Sequence, residues 1–389
     1  MLLYALNEID DEESRASLTP ESARKLVALG MEVAFESGLG RSAGFADEAY
    51  LAAGARVMAR EEAMAAADIV LHVTPPAASL IGQMKAGAVS LGFLAPFAIP
   101  GISDASGGLT AEQARIDALI AGRITGISVE MMPRSTIAQK MDAISSQANL
   151  AGYVAVTLAA ARMGKVLPMM MTPSGTISPA KVFIIGVGVA GLQAIATAKR
   201  LGARVTAFDT RAEALEQAES LGAKALKIDL GDTGSTDQGY ARELTQEQIA
   251  LQKAGQAKAC VESDVVICTA KLFGRRAPLL VGADVVAGMR AGSILVDLAA
   301  ETGGNVEGTV AGEEIITAGG VRIIGHRRLE CRVSRDASSM YANNLANFIE
   351  HFWDKESRTL REEVDDPILA AATLTRGGVF VNPHPAFKS

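Results

Sequence analysis

The segment KVFIIGVGVAGLQAIATAKRLGARVTAFDTR, residues 181–211, constrains this chain more than any other. An apolar run over 181–185 leads into Gly186-Val187-Gly188-Val189-Ala190-Gly191. A helical pattern continues from Ala190 to Leu201, and a second apolar run over 204–208 ends at Asp209. This predicts strand, tight turn, helix and strand in immediate succession. Gly186 permits the turn, Gly188 lets backbone amides approach a pyrophosphate, and Gly191 allows close packing of helix on strand. Val187 and Val189 belong to the same turn, and the helix N-terminus faces phosphate charge. Asp209 follows at the fingerprint's spacing of about twenty residues, where a carboxylate accepts from a ribose 2′-hydroxyl and repels a 2′-phosphate. Thr210 and Arg211 complete the tip of the second strand. Arg211 argues the other way, because arginine holds 2′-phosphates, but the acid at the tip favours NAD(H).

The rest of the chain repeats the alternation that such a unit needs. Apolar runs near residues 2, 32, 68, 88 and 124 are separated by helix-like stretches such as PESARKLVALG and DEAYLAAGA. A second set starts at residues 181, 204, 264, 293 and 322, the run at 264 ending in Thr269 and Ala270, which are expected at the cofactor. Alternation of this kind predicts βαβ units and parallel sheets. With 389 residues there is length for two domains. A helical pattern from Ile137 to Met163 bridges them, and a helix after Arg335 carries the chain back. The expected fold is α/β: two Rossmann-like domains linked by long helices across a cleft. The first is discontinuous, residues 1–135 plus 333–389, and the second, residues 136–332, holds NAD(H).

Composition narrows the function classes. About half the residues are hydrophobic (49%), as buried parallel strands require. The net charge of −7 argues against a nucleic-acid partner. Cys260, Cys268 and Cys331 form no paired framework, and the four scattered histidines offer no metal-ligand spacing, so no metal site is expected. The N-terminus turns acidic at once, unlike a signal peptide. No tract reaches the ~18–20 uncharged residues of a membrane span. A soluble, cytoplasmic chain is expected.

A second group of residues lies just before and within the bridging helix: Arg134, Gln139, Asp142, Ser145 and Ser146. On a continuous helix Gln139, Asp142 and Ser146 share one face. The spacing fits a site at a domain junction, and it fits equally an ordinary N-cap at Thr136 with a solvated Asp142. The polar stretch GDTGSTDQGYARELTQEQ, residues 231–248, has no period and predicts a long loop of the kind that closes over ligands.

The segments PRSTIAQKMDAISSQANLAGY, MMMTPSGTISPAKVFIIGVGVAGLQAIATAKRLGA and DLAAETGGN resemble the NAD(H)-binding component of proton-translocating NAD(P) transhydrogenase. The resemblance covers essentially the whole chain. It implies that Arg134, Gln139 and Asp142 position a nicotinamide, with Ser145 beside them. It further implies that Gly239 and Tyr240 belong to a mobile loop and that Asp209 holds the adenosine ribose. The implied activity passes hydride between NADH here and NADP(H) on a partner subunit, coupled to proton movement through a transmembrane subunit. Those partners are expected as separate polypeptides, with this chain a homodimer held at the inner face of the membrane through them.

The same superfamily contains alanine dehydrogenase, the first rival reading; a non-catalytic NAD-binding module is the second. The dehydrogenase pattern implies a lysine where this chain has Thr74 and a histidine within residues 91–97, which contain none. Arg15 is retained. His72 is the remaining titratable group on its strand and reads as a packed histidine. Two stretches depart from the transhydrogenase pattern: Leu6-Asn7-Glu8-Ile9, and Lys271 to Arg276, which borders the expected cofactor cleft.

Overall fold

In a computed structural model, residues 1–99, 102, 109–231, 244–361, 365–384 and 387 are described. The chain folds as two compact units, residues 1–147 with 331–389 and residues 148–330.

The first unit is built on an eight-stranded sheet. Its parallel strands run, in spatial order, Thr125–Ser128, Val89–Gly92, Ile69–Leu71, Leu2–Ala5, Glu32–Phe35 and Arg56–Val57. Val89–Gly92 and Thr125–Ser128 are buried at every position, as strands covered on both faces must be. The helix Pro20–Ala28 begins with a capping box between Thr19 and Ser22 and has proline in its first turn. The returning helix Ser334–Phe352 presents Tyr341, Leu345, Phe348 and Ile349 to the core. The C-terminal tail then adds Thr373–Arg376 and Val379–Phe380 to the sheet edge as antiparallel strands.

The second unit carries a seven-stranded sheet: Lys224–Ala225, Arg204–Phe208, Lys181–Ile185, Val265–Cys268, Ile294–Asp297 and Arg322–Ile324 in parallel, with Glu314–Ile316 antiparallel at the edge. In both units the winding reverses beside the first strand: between Leu2–Ala5 and Ile69–Leu71, and between Lys181–Ile185 and Val265–Cys268. The crevice at the carboxyl ends of such a pair is where doubly wound sheets take ligands. The sheets are thus parallel with antiparallel edges, where sequence alternation alone predicted parallel strands throughout.

Three further differences bear on the sites. The pattern from Ile137 to Met163 is not one helix: a 3-10 turn, Ala138–Met141, precedes the helix Ala143–Arg162, and Asp142 between them is extended (φ −74, ψ 91). Residues 136–147, expected with the second domain, belong to the first unit, because Asn344 and Asn347 on the returning helix both donate to the Lys140 carbonyl at 3.0 Å. The stretch 231–248 is not loop to its end, since Thr245 and Gln248 form a capping box that starts the helix Gln246–Val261. Apart from these, Met170–Thr172 pairs with Gly175–Ile177 as an exposed antiparallel hairpin.

Candidate functional site

The glycine turn leaves Lys181–Ile185 at the reversal point of the second sheet. Gly186 has φ +94, a backbone closed to most side chains, and an added Cβ would sit 2.6 Å from the Thr269 hydroxyl. At Gly191 an added Cβ would meet the Gly186 carbonyl at 2.0 Å, so only glycine lets this helix pack on the turn. Gly188 differs: a Cβ there meets nothing within 4 Å. It is the N-cap of Val189–Arg200, and among the described residues no side chain caps that helix. The first-turn amides are therefore left without a side-chain acceptor, as a pyrophosphate cradle requires.

Asp209 is buried at the end of Arg204–Phe208. Its Oδ2 accepts from the Val187 amide at 2.7 Å, tying the strand tip to the glycine turn. Its Oδ1 accepts from the Arg211 amide at 2.9 Å. The Arg211 guanidinium adds Nε to Oδ1 and Nη2 to Oδ2, both at 2.9 Å, and reaches the Val187 carbonyl at 3.3 Å. Hydrogen bonding to Asp209 holds the Arg211 pKa above its ordinary value. Beside the pair lies a cleft of about 500 Å³ lined by Glu213, Glu216 and Asp229, with Lys227 the other cation among its described residues. Thr210 lines the same cleft.

On the other side of the crevice, Thr269 donates to the Gly186 carbonyl at 2.9 Å, and Ala270 begins the departing segment 271–276. The side chain of Arg276 packs where a Cβ on Gly303 would stand. Sequence reasoning missed the two residues that brace this segment, Asp297 and Asn305. Both are buried and stand at the two ends of DLAAETGGN, whose likeness to the transhydrogenase pattern was the signal available in the sequence.

In the first unit, Arg134 and Gln139 are exposed, and Asp142 and Ser145 are half-buried. Asp142 Oδ1 accepts from the Ser145 amide at 2.9 Å and Oδ2 from the Ser145 hydroxyl at 2.6 Å. Asp142 is therefore the N-cap of the long helix, and it shares no helical face with Gln139. Ser146 instead donates to Asn344 at 2.7 Å. Gly239 and Tyr240 lie outside the described residues.

The reversal point of the first sheet is built differently. The Glu8 carboxylate accepts from the amides of Val73 at 2.6 Å and Thr74 at 3.1 Å, and from the Thr74 hydroxyl. Burial pushes its pKa up to about 7. His72 is buried between the Ser90 hydroxyl and the Thr74 carbonyl, both at 3.0 Å, and burial lowers its pKa to about 3. Arg15 is held by Glu13 through Nε at 2.8 Å and Nη2 at 2.6 Å, and donates to Gln147 at 3.1 Å. Among the described residues no helix is long and apolar enough to cross a membrane, and no cluster of three metal-ligating side chains occurs.

Comparison with known proteins agrees with this geometry. The model for the alanine dehydrogenase/PNT N-terminal domain matches residues 4–151, and that for the C-terminal domain matches residues 155–383. The chain is 41% identical over 379 residues to the first portion of the NAD(P) transhydrogenase alpha subunit of Rhodospirillum rubrum, covering 95% of each. A transhydrogenase structure from Sinorhizobium meliloti matches with a TM-score of 0.85 at 40% identity, covering 98% of this chain and 100% of that one. An L-alanine dehydrogenase structure matches with a TM-score of 0.79 at 26% identity, covering 100% of this chain and 98% of that one. The fold, the glycine turn and these similarities together place the chain in the alanine dehydrogenase/PNT family, among the alpha subunits of NAD(P) transhydrogenase.

Proposed function

We propose that this chain holds NAD(H) on its second unit and exchanges hydride with NADP(H) held on a separate subunit. A transmembrane subunit couples that exchange to proton movement and keeps this chain at the inner face of the membrane. The observation that carries the reading is the contrast between the two reversal points. One opens through Gly186 and Gly188 beside a buried acid. The other has its Val73 and Thr74 amides occupied by Glu8. With one such dinucleotide cradle among the described residues, the second nicotinamide is brought by a partner.

The nicotinamide supplies the hydride when bound; the protein's task is to position it, because reacting atoms must be held roughly 3–3.5 Å apart. Gly188 and the first turn of Val189–Arg200 receive the pyrophosphate. Asp209, backed by Arg211, receives the adenosine ribose. Val187, Val189, Thr210, Thr269 and Ala270 line the rest of the cradle. Arg134, Gln139, Asp142, Ser145 and Tyr240 orient the nicotinamide, a role carried by the match of PRSTIAQKMDAISS to the transhydrogenase pattern and of QGYA to its Gly-Gly-Tyr-Ala with one glycine replaced. The exposed apolar strands Met170–Thr172 and Gly175–Ile177 suit burial against a second copy, in keeping with a homodimer.

The alanine dehydrogenase reading is disfavoured by Arg15, already committed to Glu13, and by a His72 that stays neutral at physiological pH. The test is reconstitution. The purified chain should transfer negligible hydride from NADH to an NADP⁺ analogue, and adding the NADP-binding component should restore transfer without detergent or membrane. Strong transfer by the chain alone, or NADH oxidation dependent on pyruvate and ammonia, would overturn the proposal.

A further inference from the structure

We infer that Asn305 is a positioning residue for the nicotinamide half of the dinucleotide, acting by fastening both ends of the segment 271–277 to the sheet. The inference rests on the reading that the second unit holds NAD(H). Asn305 is fully buried. Its Nδ2 donates to the Ala270 carbonyl at 2.9 Å and to the Pro278 carbonyl at 2.8 Å, and its Oδ1 accepts from the Ala270 amide at 3.2 Å. Its own carbonyl accepts from Leu280 at 2.8 Å and Val281 at 3.0 Å. One residue thus grips the chain at 270 and again at 278–281, and between them Ala277 donates to the Thr302 carbonyl at 2.7 Å.

Asn305 is itself held. Asp297, at the end of Ile294–Asp297, accepts from the amides of Ala299, Asn305 and Val306 at 2.9, 2.8 and 3.0 Å, and from the Thr309 hydroxyl at 2.8 Å. On the other side, Ala270 follows Thr269, which donates to the Gly186 carbonyl. A continuous set of bonds therefore runs from Asp297 through Asn305 to the glycine turn. The segment it fixes stands across the reversal point from Asp209. In a doubly wound sheet the adenylate half of a dinucleotide lies on the first three strands, and the other mononucleotide half lies on the strands beyond the reversal.

The chemistry calls for asparagine. The position needs two donors and one acceptor in one plane. Aspartate has the shape but sets a carboxylate against two carbonyls. Leucine would leave those carbonyls buried without partners. Glutamine is too long for a fully buried site. Anchoring the ends rather than the middle also explains how Lys271 to Arg276 can depart from the family pattern while the wall keeps its place.

The test uses the full chain with two ligands, NADH by fluorescence and 5′-AMP by calorimetry. N305D should weaken NADH about tenfold while 5′-AMP changes by less than about twofold, because only the nicotinamide half loses its wall. The N305D defect should shrink as pH falls, since the protonated side chain regains one donor. If N305D does not fold, N305S is read by the same pair of ligands. Unchanged NADH affinity, or equal loss for both ligands, overturns the positioning role. Failure of the unsubstituted chain to bind NADH overturns the nucleotide-site reading and this inference with it.

Discussion

Arg211 grips Asp209 on both carboxylate oxygens, Nε to Oδ1 and Nη2 to Oδ2, each at 2.9 Å. With the Val187 and Arg211 amides, the carboxylate accepts four donors and is saturated. A ribose hydroxyl must therefore take the place of one of them, and the guanidinium is the movable one. Among the described residues of the cleft, Arg211 and Lys227 are the groups that would welcome a 2′-phosphate, and Asp209 restrains the first of them. Asp209→Asn should weaken NADH by about 1–3 kcal/mol and at the same time strengthen NADPH, because Arg211 is released. Fluorescence titration with both nucleotides measures this. NADPH affinity that stays as weak as in the parent would show that Arg211 is not what excludes or admits the phosphate.

Asp142 has two roles that substitution can separate. As N-cap it accepts from Ser145, and its charge is the feature proposed to act on the nicotinamide. Asparagine caps helices about as well as aspartate, whereas alanine costs about 0.5–2 kcal/mol. Asp142→Asn should keep the melting temperature and lower turnover in the reconstituted complex; Asp142→Ala should lower both. Gln139→Asn, at an exposed position, should affect turnover and leave stability alone. Full turnover in Asp142→Asn would leave the residue a cap and nothing more.

The pair Glu13–Arg15 is buried, with side-chain exposures of 0% and 5%. Removing one partner from such a pair costs about 3–5 kcal/mol, because the other charge is stranded. Despite burial, the Arg15 hydrogen bonds and charge hold the Glu13 pKa below its ordinary value. Its stabilisation is therefore present above the unfolded pKa of about 4.3 and lost as pH falls through the lower folded value. Glu13→Gln should unfold at markedly lower urea concentration at pH 7, with the gap from the parent closing in acid. A constant gap across that range would assign the acid loss elsewhere.

Glu8 titrates with the opposite sign. Burial raises it to about 7, while the unfolded chain releases the same proton near about 4.3. Between those values the native state binds the extra proton, so stability falls as pH rises from about 5 to about 7. Burial raises Glu130 as well, which adds in the same direction. Glu8→Gln should flatten the fall in thermal midpoint over this window without abolishing it. A slope as steep as the parent's would mean that the carboxyl is already ionised in the native state.

The features that the chain declares before it folds are local. The glycine turn, the helix behind it and the acid at the next strand tip lie within residues 181–211, and each needs only its neighbours in the chain to declare its geometry. The alternation of apolar runs was enough for the α/β class, because each strand is buried by its own pattern. Features that depend on distant partners took shape only in the folded chain. Asp142 was legible as an acid on a helical repeat, but the break that makes it a cap follows from residues 136–147 being drawn to the returning helix by Asn344 and Asn347. Glu8 closes the first reversal point by bonding amides 65 and 66 residues away. Asn305 reaches back 35 residues to Ala270 and 27 to Pro278. The pairing of Asp209 with Arg211 was within reach by spacing, yet only the folded strand tip aims both donors at one carboxylate. Periodicity reports which face of an element is buried; it carries no record of which buried donor meets which acceptor, because that choice is made when separate strands end side by side.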